Sequence, residues 1–215
     1  TWANPVDVLI VFDGSGSMIF YKDAVISAVR QIQEGITSYW MQKHPAEAKA
    51  TVRFSATMYR DYIESVHFKR IPFTENSSEI ERFIQNHDFS GGMDEPAVFN
   101  GIAETLSAAG SEFDKSSIRL LILIGDMGNL GRNYTSADPR GHTVETISNH
   151  LKDSKSDFYA IHVADASAYE PEYRGVINSF MEQSKSIMVN LDQEKTEMYQ
   201  LTSPQHIKEQ IVAKV

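Results

Sequence analysis

The amino-acid sequence predicts a doubly wound α/β fold with a mostly parallel central sheet and helices on both of its faces. Residues 6–12 and 118–124 are dense in valine, isoleucine and leucine, which is typical of strands that are buried on both faces. Longer segments with apolar residues at helical spacing separate these and other strand candidates along nearly the whole chain. Such alternation favours parallel strands that are joined by right-handed crossovers.

The remaining elements follow from local patterns, in chain order. Residues 51–59 form another strand candidate, and residues 65–73 alternate apolar and polar side chains, as expected of a half-exposed edge strand. We expect one edge strand of the sheet to be antiparallel. Two further strands are predicted at residues 158–163 and 187–191. Apolar residues at helical spacing predict helices at residues 23–41, 78–86, 95–109, 143–152, 171–183 and 204–213.

Length and composition narrow the range of functions. The 215 residues, of which 41% are hydrophobic, fit a single domain at residues 1–215 with a large core. The net charge of −9 disfavours nucleic-acid binding, because an acidic surface repels phosphates. The absence of cysteine excludes disulfides and thiolate zinc sites. The longest apolar run, at residues 120–124, is far shorter than the roughly 20 residues of a membrane span, so we expect no membrane insertion of this segment. Because the chain starts at Thr1, we expect it to be part of a larger protein.

Polar side chains gather at three predicted strand-to-helix turns. Residues 13–17 read Asp-Gly-Ser-Gly-Ser and follow the first strand, while Asp126 follows the strand at 118–124. The segment Ser-Gly-Gly-Met-Asp-Glu-Pro at residues 90–96 opens a helix. Ligands of such sheets bind beyond the carboxyl ends of the strands, so these turns should meet at one edge. Two carboxylates and two hydroxyls suit Mg²⁺; Mn²⁺ accepts similar ligands, and Ca²⁺ would need more of them.

This pattern resembles the metal-ion-dependent adhesion site, or MIDAS, of von Willebrand factor A domains. The resemblance rests on Asp13-x-Ser15-x-Ser17, on the later Gly-Gly turn and on Asp126 after a buried strand. It implies a Rossmann-like fold in which Ser15 and Ser17 bind the metal directly, while Asp13 and Asp126 act directly or through water. It further implies that a partner protein completes the metal shell with an Asp or Glu carboxylate, and that the chain binds proteins without being an enzyme.

The middle loop departs from the family pattern. Many members carry a threonine after the glycine pair, where this sequence has Met93, whose thioether is a poor ligand for a hard cation. A second family variant reads Gly-Gly-Asp-x-Pro-Glu, which Asp94-Glu95-Pro96 resembles, although Ala97 replaces the final glutamate. We therefore predict Asp94 as the metal ligand from this loop, with Glu95 as second choice. Alternatively, Asp94 only caps the following helix.

Weaker signals bear on location and on the surroundings of the site. The triplet Tyr59-Arg60-Asp61 is similar to that of bacterial A domains attached to serine/threonine kinases, some of them in the cell envelope. We expect an extracytoplasmic location, in the periplasm or at the cell surface. Met18 and Met127 flank the site, either as an apolar rim for a partner or as local packing. The aromatic residues of the segment 169–173 belong to a loop or helix start and could line a partner surface.

Two rival functions stay open at this point. In the first, the metal site is vacant and the fold is a scaffold for contacts, with the polar residues at 13–17 acting as helix caps. In the second, the chain is a phosphatase-like hydrolase with Asp13 as nucleophile. Ser15 argues against the second, because such enzymes carry an acidic residue there and a hydroxyl is a poor proton donor at neutral pH. Serine hydrolase, nucleotide-binding and EF-hand patterns are absent as well.

Overall fold

A six-stranded sheet forms the centre of the molecule, in the strand order β3-β2-β1-β4-β5-β6. The computed structural model describes residues 5–43, 52–92, 95–131, 134–164, 166–192 and 199–200. The strands are β1 (Val6–Asp13), β2 (Val52–Tyr59), β3 (Phe68–Thr74), β4 (Ile118–Gly125), β5 (Ser156–His162) and β6 (Tyr199–Gln200). The helices are α1 (Lys22–Lys43), α2 (Ser77–Asn86), α3 (Val98–Ala109), α4 (Val144–Asp153) and α5 (Pro171–Asn190). Short 3-10 turns precede α1 at Gly16–Tyr21 and α5 at Ala166–Ala168.

Strand β1 lies at the point where the strand order reverses. It pairs in parallel with β2 on one side and with β4 on the other. The chain first builds the sheet outward from β1 through β2 to β3, and then returns to add β4 and β5 on the opposite side. In open α/β sheets the crevice for ligands lies at such a switch point, beyond the carboxyl ends of the strands. A ligand site is therefore expected at the carboxyl ends of β1 and β4.

Two apolar cores, one on each face of the sheet, hold the helices in place. Alternate residues of β1 point to opposite faces, so Ile10 and Phe12 pack with helices α1 and α2, while Leu9 and Val11 pack with α3, α4 and α5. This two-sided burial explains why β1 and β4 read as nearly continuous apolar runs. The predicted doubly wound α/β fold is confirmed, as is the antiparallel edge strand, which is β3.

Some predicted boundaries are wrong. The segment predicted as a strand at residues 187–191 instead continues helix α5 to Asn190, because Ile187 and Met188 fill the second core. Helix α3 begins at Val98 and not at residue 95, since Pro96 forms an antiparallel bridge with Asp61. The predicted helix at residues 204–213 lies outside the described residues. No helix in the described parts of the chain is long and apolar enough to cross a membrane.

Candidate metal centre

Four of the five predicted ligands meet at the carboxyl edge of the sheet. Asp13 is the last residue of β1 and Asp126 follows β4 directly; both are fully buried. Because β1 and β4 are adjacent parallel strands, their ends bring the two carboxylates to the same point. Ser15 is buried next to Asp13, while Ser17 is exposed in the 3-10 turn that leads to α1. The fifth predicted ligand, Asp94, lies outside the described residues, as does Met93.

A chain of hydrogen bonds links these four residues. The backbone amide of Ser15 donates to Oδ1 of Asp13 at 2.8 Å. The hydroxyl of Ser17 donates to Oδ2 of Asp126 at 2.6 Å and lies 3.3 Å from the hydroxyl of Ser15. The residues are thus close enough to share one ion, with their oxygens facing each other across the switch point. Hydroxyl and carboxylate oxygens form a hard donor set that fits a divalent cation such as Mg²⁺.

The two carboxylates lack the partners that buried charges usually have. Neither Oδ2 of Asp13 nor Oδ1 of Asp126, both inaccessible to solvent, has a hydrogen-bond partner within the described residues. Burial, followed by repulsion from Asp126, raises the pKa of Asp13 well above its ordinary value. Two neighbouring buried carboxylates are costly unless a cation neutralises them. The electrostatics of the site therefore favour a bound cation.

Tyr59 is buried close enough to Asp13 and Asp126 to be affected by their charges, and the sequence pattern does not indicate it as part of the site. Tyr59 ends β2 and is the parallel partner of Asp13 in the sheet register. Its hydroxyl lies 2.7 Å from where a Cβ on Gly125 would stand, and it has no hydrogen-bond partner in the described part of the chain. Burial, and then the negative charges of Asp13 and Asp126, raise the pKa of Tyr59 well above its usual value. The phenol consequently stays protonated.

A small pocket of about 70 Å³ lies next to three of the four residues. Asp13, Ser15 and Ser17 form one side of it, and Asp61 and the turn at residues 91–92 form the other. Asp61 is buried and accepts a hydrogen bond from the backbone amide of Glu95 at 3.2 Å. The sequence pattern marks Asp61 only as part of the Tyr59-Arg60-Asp61 triplet and does not indicate a metal role for it. The structure shows that the loop after β2 brings a second carboxylate, beside that of Asp13, to the pocket.

The glycine turn is fitted closely against the first serine. Gly92 has a φ of +96°, and a Cβ at this position would lie 3.1 Å from Cβ of Ser15. The backbone amide of Gly16 donates to the carbonyl of Gly91 at 3.1 Å, and the carboxylate of Glu64 accepts from the amide of Gly92 at 3.0 Å. Glycine is favoured here because the positive φ and the close approach both disfavour a side chain. The turn therefore holds Ser15 in position from the side opposite the sheet.

No histidine or cysteine is among the predicted metal ligands. In the ranges that the structure describes, no three side chains of histidine, cysteine, aspartate or glutamate form a group that could hold a metal. The candidate site differs from such a group because two of its four described ligands are serine hydroxyls. His162 is buried, and its Nε2 donates to the backbone carbonyl of Asp126 at 2.9 Å, which fixes the turn after β4.

Comparison with solved structures identifies the fold. The chain superposes on the pilus adhesin SpaC of Lactobacillus rhamnosus GG in its open conformation, with a TM-score of 0.63 and 15% sequence identity over 100% of this chain and 30% of SpaC. It also superposes on proximal thread matrix protein 1 of the mussel byssus, solved with zinc in its MIDAS motif, with a TM-score of 0.56 and 16% identity over 98% of this chain and 45% of that protein. The chain has a von Willebrand A-like fold.

The von Willebrand A-like fold is what the sequence pattern predicted, but the likeness is structural alone. No protein-family model matches the sequence, and no curated protein matches it either. The chain spans less than half the length of the two similar proteins.

Proposed function

We propose that this von Willebrand A-like chain is a protein-binding domain whose contact with its partner depends on one divalent cation. Ser15 and Ser17 would bind the cation directly, Asp13 and Asp126 directly or through water, and a partner's Asp or Glu carboxylate would take the open position. The observation that carries the proposal is the pair of buried, unpartnered carboxylate oxygens beside two hydroxyls at the switch point of the sheet.

The charge of the chain supports a bridging cation. With a net charge of −9, the protein would repel an acidic partner in the absence of a cation. Two carboxylates and two neutral hydroxyls leave a divalent cation only partly surrounded by protein atoms, so an outside carboxylate can still bind it. Asp61, which lines the pocket, and Asp94, predicted from the sequence, are the two candidates for a further carboxylate from the loops.

The type of ligand narrows the choice of cation. Oxygen ligands without histidine or cysteine favour Mg²⁺, with Mn²⁺ or Ca²⁺ as alternatives. The structure of the mussel matrix protein has zinc in its MIDAS motif, so zinc belongs among the ions to be tested. The similar proteins are a pilus adhesin and a byssal matrix protein, which supports protein binding and an extracellular location.

We propose binding in preference to catalysis. The hydroxyl of Ser15 occupies the place where a phosphatase would carry its acid, and its backbone amide is bonded to Asp13.

Water relaxation on the Mn²⁺-loaded protein tests the proposal. Mn²⁺ with an open position should carry exchangeable water and enhance the relaxation of bulk water protons. Acetate, as the simplest carboxylate, should displace one water and lower the enhancement, whereas neutral acetamide should not. If Mn²⁺ binds and acetate has no more effect than acetamide, the carboxylate-bridging function is wrong. If Mn²⁺, Mg²⁺, Ca²⁺ and Zn²⁺ all fail to bind, the vacant scaffold is the correct account.

A further inference from the structure

An apolar pocket of about 240 Å³ adjoins the candidate metal centre. Ser17 and Asp126 form its polar edge, and Ser17 and Met127 line both this pocket and the smaller one at the candidate metal centre. Its other walls are apolar or aromatic and come from the turn after β4 and from the start of α5: Met127, Tyr169, Tyr173, Val176 and Ile177. An apolar cavity that opens beside a cluster of charged oxygens is a common form of ligand site.

The walls of this apolar pocket are held in place before any ligand binds. Val176 and Ile177 are buried, and Met127 is 8% exposed. Tyr169 forms a hydrogen bond with Tyr21, which joins the turn before α5 to the turn that carries Ser17. The pKa of Tyr169 is raised by burial first and by this hydrogen bond second. A pre-formed wall lowers the entropy lost when a ligand binds.

Exposed apolar side chains surround the same edge of the sheet. Among the described residues, seven large hydrophobic side chains are exposed. Five of them lie in segments at the carboxyl edge, namely Ile19, Phe20, Ile63, Val66 and Tyr173. The other two, Met41 and Val189, lie in the last turns of α1 and α5, at the opposite edge. Clustered exposed apolar residues mark surfaces that contact other proteins.

We infer that the partner presents an acidic residue with a bulky apolar side chain beside it, and that this apolar side chain fills the pocket of Met127, Tyr169, Tyr173, Val176 and Ile177. The inference rests on the proposed function, because the carboxylate on the cation fixes where the neighbouring side chain lies. A carboxylate at the open position next to Ser17 stands at the polar edge of the pocket. The side chain next to it then lies over Tyr173 and leaves water for an apolar surface.

Small carboxylates separate the contribution of the carboxylate on the cation from that of the apolar group in the pocket. In the Mn²⁺ relaxation assay, 3-phenylpropanoate should bind about tenfold to a hundredfold more tightly than acetate, because its phenyl ring is buried in the pocket. The alcohol 3-phenylpropanol has the ring without the carboxylate and should not displace metal-bound water. Replacing Tyr173 by serine should reduce the preference for phenylpropanoate over acetate by about threefold to tenfold through lost aromatic contact. Acetate binding itself should stay unchanged in that variant.

Val189→Ser is the matched control, since Val189 is an exposed apolar residue on the same helix but at its far end. It should leave the preference for phenylpropanoate intact. Equal binding of acetate and phenylpropanoate would overturn the inference while leaving the metal-dependent function in place. Equal binding of phenylpropanoate with Mn²⁺ and with EDTA would also overturn it, because the pocket would then act without the metal. Failure of acetate to bind the Mn²⁺-loaded protein would overturn the proposed function itself.

Discussion

Replacing Asp13 with asparagine should stabilise the metal-free protein and remove its stabilisation by Mg²⁺. In the native chain, Oδ2 of Asp13 and Oδ1 of Asp126 are buried, close to each other and without partners among the described residues. Asparagine keeps the shape of the side chain and its oxygen still accepts from the amide of Ser15, which lies 2.8 Å away. Its amide nitrogen would replace one of the repelling oxygens with a hydrogen-bond donor.

The size of the effect follows from the cost of a buried group without a partner. Such a group costs about 1–3 kcal/mol, and more when it is charged. We therefore expect the free energy of unfolding in EDTA to rise by about 2 kcal/mol, which is about 4–8 °C in Tm for a chain of this size. The native protein should gain about 2.7 kcal/mol when Mg²⁺ is present at one hundred times its dissociation constant. The variant should gain almost nothing, so the order of stability reverses with the metal.

Thermal unfolding of both proteins in EDTA and in MgCl₂ measures this reversal. Asp7→Asn is the matched control: Asp7 lies at the other end of β1, is equally buried, and is paired with Arg53 at 2.8 Å. Removing one partner of that ion pair should destabilise the protein by about 3 kcal/mol in either buffer. An Asp13→Asn protein that is less stable than the native protein in EDTA, or that responds equally to Mg²⁺, would refute this reasoning.

Three further predictions concern the surroundings of the site. In EDTA, the native protein should lose stability relative to Asp13→Asn as the pH rises above the ordinary carboxyl range. The reason is that the raised pKa of Asp13 lets the folded state bind more protons than the unfolded state. A difference in Tm between the two proteins that stays constant across pH would count against this prediction. Tyr59→Phe should raise the stability of the metal-free protein by about 1 kcal/mol in urea unfolding, because it removes a buried hydroxyl without a partner in the described residues; a loss of stability would show that the hydroxyl is paired. Gly92→Ala should cost about 1–3 kcal/mol and weaken Mn²⁺ binding in calorimetry, since φ is +96° and Ser15 is in the way. Gly141→Ala, with a φ of +75° and open space, should cost similar stability without any change in Mn²⁺ binding, and a change there would contradict the role given to Ser15.

The sequence predicts the centre of the sheet and most of the site because both depend on local patterns. Strands buried on both faces need apolar residues at every position, so β1 and β4 are visible as runs. Parallel neighbours end at the same edge, so the residues that follow them, Asp13 and Asp126, have to lie close together. The serines at alternating positions in the turn then complete a recognisable oxygen cluster.

What the sequence does not predict depends on contacts between distant segments. The run at residues 187–191 is short and apolar, and only the position of helix α5 over the second core makes it helical. Asp61 and Tyr59 reach the site because β2 pairs with β1, and neither has a pattern that indicates a metal site. The apolar pocket beside Ser17 likewise arises from the packing of α5 against the turn after β4. Met127 lines both cavities, whereas Met18 is buried in the core and packs locally.

Anomalous diffraction from a crystal of the protein grown with MnCl₂ would locate the cation directly. We expect one strong manganese peak within coordination distance of the hydroxyls of Ser15 and Ser17, between the carboxylates of Asp13 and Asp126. The same peak should be missing in crystals of Asp126→Ala. An empty position between these four side chains in the native protein, with manganese absent or bound only elsewhere on the surface, would contradict the account.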